Sequence, residues 1–117
     1  MGACWQDGMG ALDSLIFTKT IAEGTAIKKP SRLTKILDIL KKTNGGCLAV
    51  TEDEILKATL DLSKSGFFVE PTCASAAVGL EKLRARNLIG TDETTVVVLT
   101  GSGLKSSDFF TENVELQ

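Results

Sequence analysis

A hydroxyl and two glycines follow the most apolar segment of the chain. Residues 96–105 read VVVLTGSGLK, so Thr100 and Gly101 come directly after a run of aliphatic residues. In open α/β sheets, ligands bind at the carboxyl ends of the strands, which is where these two residues would lie. A tight turn that needs glycine for its backbone explains the same letters. The isolated Gly-x-Gly lacks the third glycine and the helix of a dinucleotide-binding fingerprint.

A carboxylate, a hydroxyl and a thiol lie where a second apolar segment gives way to a helix. Residues 67–77 read FFVEPTCASAA. Glu70 could serve a binding site there, or Glu70 and Thr72 could satisfy the free amides of the first helical turn. Because the chain contains no histidine to act as a base for Cys73, we interpret this cysteine as a small buried residue and not as a nucleophile.

Three helices are predicted to position these residues. The first follows Ser31 as N-cap and carries apolar residues at helical spacing, namely Leu33, Ile36, Leu37 and Leu40. Thr51 and Glu54 form a capping box that begins the second, which continues to Ser65 with Gly66 as its C-terminal cap. Pro71 begins the third, which ends near Asn87 with one apolar face made by Ala76, Ala77, Leu80 and Leu83.

Short apolar segments alternate with these helices. Residues 47–50, 67–69 and 95–99 are predicted to be buried strands, and residues 20–24, TIAEG, form a β-leaning segment with a turn and little functional signal of their own. The aliphatic run at 96–99 indicates burial on both faces, as in a parallel sheet. The alternation predicts an α/β fold with parallel pairing.

Composition bounds the class of protein. The 117 residues make one domain or part of one, with 43% hydrophobic residues and a net charge of −2. A weakly acidic chain argues against nucleic acid and membrane partners. Neither a secretory signal nor a membrane-length apolar run occurs. The three cysteines lack metal-site spacing, so we expect a reducing, cytoplasmic environment and no disulfide scaffold.

Four segments together resemble fold-type II pyridoxal-phosphate (PLP) enzymes, and threonine synthases most of all. LTGSGLK at 99–105 is similar to their LTG-His/Asn-GLK block, and VEP at 69–71 to their Glu-Pro block. TIAEG at 20–24 resembles a segment shared with threonine dehydratases, and VTEDEI at 50–55 resembles a helix start. The resemblance covers about residues 20–105. It implies a three-layer parallel-sheet fragment, the C-terminal part of the family's large domain.

The resemblance also implies roles for particular residues. In the family, the hydroxyl after the last strand hydrogen-bonds the pyridine nitrogen of PLP, and Thr100 matches that position, with Gly101 beside it. Glu70 would lie near the same ring edge. Ala22 and Gly24 would line the cleft.

The departures from the family pattern concern the cofactor. The lysine that binds PLP covalently, in a Ser-x-Lys motif, and the Gly-rich phosphate loop both belong to upstream sequence that has no match here. We therefore expect a single partial domain over 1–117, with an irregular lead-in at 1–19, a short helix at 11–17 within it, and a polar, loosely held tail at 106–117. No catalytic residue and no tight PLP binding are expected in this chain alone. Its expected partner is the N-terminal remainder of such an enzyme, or a second copy.

Other functions remain open at this level. The expected reaction is that of threonine synthase, O-phosphohomoserine and water to threonine and phosphate, but TIAEG also fits a threonine or serine dehydratase. The helix order resembles a winged-helix nucleic-acid module as well. Two features argue against that module: the acidic composition, and the run of valines where an amphipathic wing is expected.

Overall fold

The computed structural model describes residues 18–114. Two compact units divide the chain: one contains residues 26–49, and the other contains residues 20–25 together with 50–114. Four α-helices occur in this part of the chain: α1 (Leu33–Lys42), α2 (Glu52–Lys64), α3 (Pro71–Ala85) and α4 (Ser107–Asn113). Two short 3-10 helices, Glu23–Thr25 and Gly103–Ser106, accompany them. The predicted helix at 11–17 and most of the lead-in lie outside the described residues.

Helix α1 is confirmed, and its start differs by one residue from the prediction. The predicted apolar stripe is the buried side of the helix, with Leu33 and Leu37 at 3% and 8% exposure. Arg32, and not Ser31, occupies the N-cap position and makes no side-chain cap. The helix ends before Asn44, whose positive φ of 52° turns the chain out of the helical path.

Helix α2 begins with the predicted capping box. Thr51 Oγ1 accepts from the Glu54 amide at 3.3 Å, and the Thr51 amide donates to the Glu54 carboxylate at 2.7 Å. Gly66, with φ of 89°, follows the helix as predicted. Lys82 of α3 pairs with Glu54 at 2.7 Å. This hydrogen bond from Lys82, followed by that from the Thr51 amide, holds the pKa of Glu54 below its ordinary value.

Helices α2 and α3 pack together around a core of small residues. Ala58, Ala74 and Val78 form its centre, and Val50 and Leu62 pack against them. The predicted apolar face of α3 is wrong, because Ala76 is exposed while Ala74 and Val78 are buried. Small apolar residues surround this helix on several sides, so their spacing alone does not select the buried face.

The predicted parallel sheet is wrong. Among residues 18–114 no strand forms, and the β-type pairing consists of one isolated antiparallel bridge between Val69 and Ser102. Residues 95–99, hereafter the valine segment, are irregular in structure, and Val96 and Val98 are 82% and 67% exposed. Apolar, β-branched residues favour an extended and buried backbone. A strand forms, however, only when a second segment of chain pairs with its backbone amides and carbonyls. Within the described residues, segment 67–69 pairs with its neighbour at this one bridge alone, and residues 95–99 make no backbone hydrogen bond.

Residues 107–113 of the predicted tail at 106–117 form helix α4, and residues 115–117 lie outside the described residues. Helix α4 carries Phe110, whose ring centroid lies 4.5 Å from that of Phe68. Gly103 lies beneath both rings, since a Cβ there would approach each ring within 2.9 Å. The aromatic contact therefore fixes α4 against the segment that precedes α3.

Candidate functional site

The turn at Thr100 and Gly101 packs against the start of α3. The Glu70 amide donates to the Gly101 carbonyl at 3.2 Å, and the Gly103 amide donates to the Phe68 carbonyl at 3.0 Å. These two bonds flank the Val69–Ser102 bridge and join two segments about 30 residues apart in sequence. The two stretches with the strongest chemical signal therefore lie side by side.

Gly101 accommodates the side chain of Glu70. A Cβ at position 101 would overlap Oε1 and Cδ of Glu70. The φ of Gly101 is outside the left-handed region, so a side chain here would be opposed by the Glu70 carboxylate and not by backbone strain. The carboxylate thus lies directly over the turn that carries Thr100.

Cys73 connects the same turn to helix α3. Its sulfur accepts the amides of Gly101 at 2.8 Å and Thr100 at 3.1 Å. It also lies 3.3 Å from Thr100 Oγ1. The residue is 3% exposed, which confirms the prediction of burial. Sequence reasoning missed that this thiol touches the predicted ligand-binding hydroxyl.

The segment at residues 20–24 reaches the first turn of α3 as well. The Gly24 amide donates to Thr72 Oγ1 at 3.1 Å, and a Cβ on Gly24 would lie 2.9 Å from Thr72 Cγ2. Ala22 is 1% exposed, and its carbonyl accepts from the amide and hydroxyl of Thr25. This close approach gives Gly24 a steric reason to lack a side chain.

Glu52, at the start of α2, holds the beginning of the segment at residues 20–24. Glu52 accepts from the Thr20 hydroxyl at 2.6 Å and from the Ile21 amide at 2.8 Å. Glu52 lies in the first turn of the capped helix α2, where a carboxylate suits the helix dipole. No sequence pattern signalled its long-range partners, because 31 and 32 residues separate them.

The structure therefore gathers most of the predicted site residues around one helical turn. Thr100, Gly101 and Glu70 lie in direct contact through Cys73 and the backbone, and Gly24 meets the same turn through Thr72. Ala22 lies two residues before Gly24 and is buried. Their roles toward a cofactor stay predictions.

One hydroxyl donor at the turn fits the ring nitrogen of PLP. Thr100 is exposed, so a neutral hydroxyl at the turn is open to an acceptor such as a ring nitrogen. The described residues include no group of three or more metal-ligating side chains. They also include no helix long and apolar enough to cross a membrane.

A separate surface cavity of about 390 Å³ lies near the far end of α3. It is lined by Arg84, Asn87, Ile89, Gly90 and Thr91. None of the predicted site residues lines it. A shallow cleft of this kind reflects the turn that follows the helix, and we assign it no role.

Comparison with known proteins agrees with the motif resemblance. The chain is 42% identical to the threonine synthase of Methanocaldococcus jannaschii over 91 residues, which is 77% of this chain and 22% of that protein. It is 40% identical to the threonine synthase of Methanosarcina acetivorans over 74% of this chain and 22% of the relative. With "Threonine synthase 2, chloroplastic" of Arabidopsis thaliana it shares 34% identity, over 82% of this chain and 19% of the relative.

These relatives are several times longer than the matched segment, since the chain spans only about a fifth of their length. The family described as pyridoxal-phosphate dependent enzyme matches residues 3–101. That match includes the segments at 20–24, 50–55 and 69–71 and reaches Thr100 and Gly101. It favours an enzyme family over a winged-helix module. The chain belongs to the pyridoxal-phosphate dependent enzyme family.

Proposed function

We propose that this chain forms part of a threonine-synthase-like lyase, which converts O-phosphohomoserine and water to threonine and phosphate. The chain does not perform this reaction alone. The observation that carries the proposal is the convergence of three family segments on the first turn of α3, with the Thr100 hydroxyl exposed beside them. The threonine synthase names of the relatives support this reaction over that of a dehydratase.

PLP, when bound, supplies an electron sink for chemistry at the substrate's carbon atoms. Thr100 would donate its hydroxyl proton to the pyridine nitrogen. A hydroxyl is neutral and a poor acid, so it leaves that nitrogen unprotonated, unlike a carboxylate partner. This tempered electron withdrawal suits replacement and elimination reactions.

The neighbouring residues would shape the surroundings of the ring. Glu70 lies over Gly101 and would face the ring edge. Ala22 and Gly24 would line the cleft on the side where residues 20–24 meet Thr72. None of these residues supplies the covalent lysine or the phosphate loop.

The partner we propose is polypeptide that supplies the rest of a threonine-synthase-like enzyme, in a cytoplasmic assembly. Val96 and Val98 are largely exposed, and no backbone hydrogen bond involves the valine segment within the described residues. Apolar side chains and free backbone groups favour burial against another chain. Light scattering after size exclusion tests this, with self-association as the expected behaviour of the isolated chain. A monomer at high concentration would contradict it.

A graft tests the function. The segment of the M. jannaschii threonine synthase that aligns with residues 20–105 is replaced by this chain's sequence, and phosphate release from O-phosphohomoserine is measured. We expect activity, because the recipient contributes everything outside the graft. A soluble, helical graft that binds PLP without converting substrate would refute the proposal.

Variants of the graft isolate the role of Thr100. Thr100→Val is expected to lower turnover about tenfold, the worth of roughly one hydrogen bond, whereas Thr100→Ser retains it. Thr91→Val is the matched control, because Thr91 is an exposed threonine away from the turn. Equal activity in Thr100→Val and Thr91→Val would refute the role of the hydroxyl. PLP titrated into the chain alone should give no stable stoichiometric absorbance band.

A further inference from the structure

Cys73 makes more contacts with the Thr100 turn than a space-filling residue needs. Besides the two amides and Thr100 Oγ1, its sulfur lies 3.6 Å from the Gly101 carbonyl and 3.9 Å from Glu70 Oε1. Four of these five contacts reach residues 27 or 28 positions away in the chain. The thiol is therefore a polar junction between helix α3 and the turn.

Counting donors and acceptors indicates how this junction is arranged. A thiol has one weak S–H donor, and its sulfur is a weak acceptor. The amides of Thr100 and Gly101 already use the accepting side of the sulfur. The S–H then has Thr100 Oγ1 as its nearest oxygen, at 3.3 Å. When the thiol donates to this oxygen, the hydroxyl proton of Thr100 remains available to donate to another acceptor.

We propose that Cys73 is a positioning residue for Thr100. It anchors the turn by accepting two successive amides, and it donates to Thr100 Oγ1 so that the hydroxyl proton points away from α3. This inference rests on the proposed function, in which that proton meets a ring nitrogen. The anchoring itself is a property of the chain without cofactor.

Substitutions at position 73 separate polarity from volume. Cys73→Ser keeps a group that can both accept the amides and donate to Thr100, whereas Cys73→Ala removes both abilities. Cys47→Ala is the matched control, because Cys47 is another free cysteine of the described residues and is half-buried. All variants are made in the full chain.

Amide hydrogen exchange by NMR measures the anchor. In Cys73→Ala we expect exchange at Thr100 and Gly101 to rise about three- to tenfold, the effect of losing an acceptor. Amides within α2 should keep their rates, and Cys73→Ser and Cys47→Ala should resemble the parent. Unchanged exchange at both turn amides in Cys73→Ala would overturn the anchor. If Cys73→Ala does not fold, Cys73→Ser decides: fast exchange at both amides would overturn it.

The χ1 rotamer of Thr100, from three-bond couplings to its methyl carbon, measures the orientation. One rotamer is expected in the parent and in Cys73→Ser, and a mixture in Cys73→Ala. A single unchanged rotamer in Cys73→Ala, or a mixture in Cys73→Ser, would overturn the orienting role. A purely structural role would leave the rotamer of a folded variant unchanged.

The graft then separates this inference from the proposed function. Cys73→Ala should lower turnover when Thr100 is present and have no further effect in a Thr100→Val background. Equal losses in both backgrounds would overturn the positioning role. An inactive parent graft with intact exchange and rotamer patterns would refute the proposed function while leaving the positioning role standing.

Discussion

Gly101→Ala should destabilise the parent chain but stabilise a variant in which the side chain of Glu70 has been removed. In the parent, the new Cβ would overlap Oε1 and Cδ of Glu70 and lie 2.9 Å from its Cγ, so the side chain must leave its position over the turn. Because Glu70 is half-buried and its side chain is flexible, the displacement falls in the lower part of the overpacking range, about 1–2 kcal/mol. Because the φ of Gly101 is open to alanine, the substitution also reduces unfolded-state freedom, which stabilises by about 0.4–1 kcal/mol. Subtracting the second term from the first gives a net loss of between about 0 and 1.6 kcal/mol.

In a Glu70→Ala background the steric term disappears, and Gly101→Ala should stabilise by about 0.4–1 kcal/mol. Glu70 makes no side-chain cap at the start of α3, so its removal alone should cost little. Urea unfolding followed by far-ultraviolet circular dichroism gives the four free energies of this double-mutant cycle. Equal effects of Gly101→Ala in both backgrounds would refute the placement of Glu70 over the turn.

Three further predictions concern helices α2 and α3. Val78→Ala should lower the free energy of unfolding by about 2 kcal/mol, two buried carbons plus a cavity term, whereas Ala76→Ser on the exposed side should change it little; similar losses would contradict the observed buried face. Thr51→Ala should cost about 1 kcal/mol through the lost N-cap, and an unchanged urea midpoint would contradict the cap. The pKa of Glu54 is lowered in the folded state by Lys82 and the Thr51 amide, so its stabilising contribution is present above the ordinary value of 4.5 and is lost as pH falls through the lower folded value. Unfolding free energies measured from pH 6 downward should therefore fall less steeply in Glu54→Gln than in the parent, and parallel curves would contradict this linkage.

Local signals predicted the helices well. Each helix signal acts within a few residues of chain, so it follows from the types of neighbouring residues. Examples are the capping box at Thr51, the glycine at Gly66 and the proline at Pro71. Strand formation could not be predicted in this way. The valine segment has the composition of a buried strand, yet Val96 and Val98 are exposed, because a strand depends on hydrogen bonds to a second segment.

For the candidate site too, the sequence identified individual residues, whereas the contacts between them became visible only in the structure. Motif order in the sequence was enough to identify the family and to single out Thr100, Gly101, Glu70, Ala22 and Gly24. Only tertiary structure revealed that the Cys73 sulfur meets the Thr100 turn and that Glu52 accepts from Thr20 and Ile21. These contacts join residues 27 to 32 positions apart. No local pattern encodes them, since they depend on how helices α2 and α3 bring distant segments together around one helical turn.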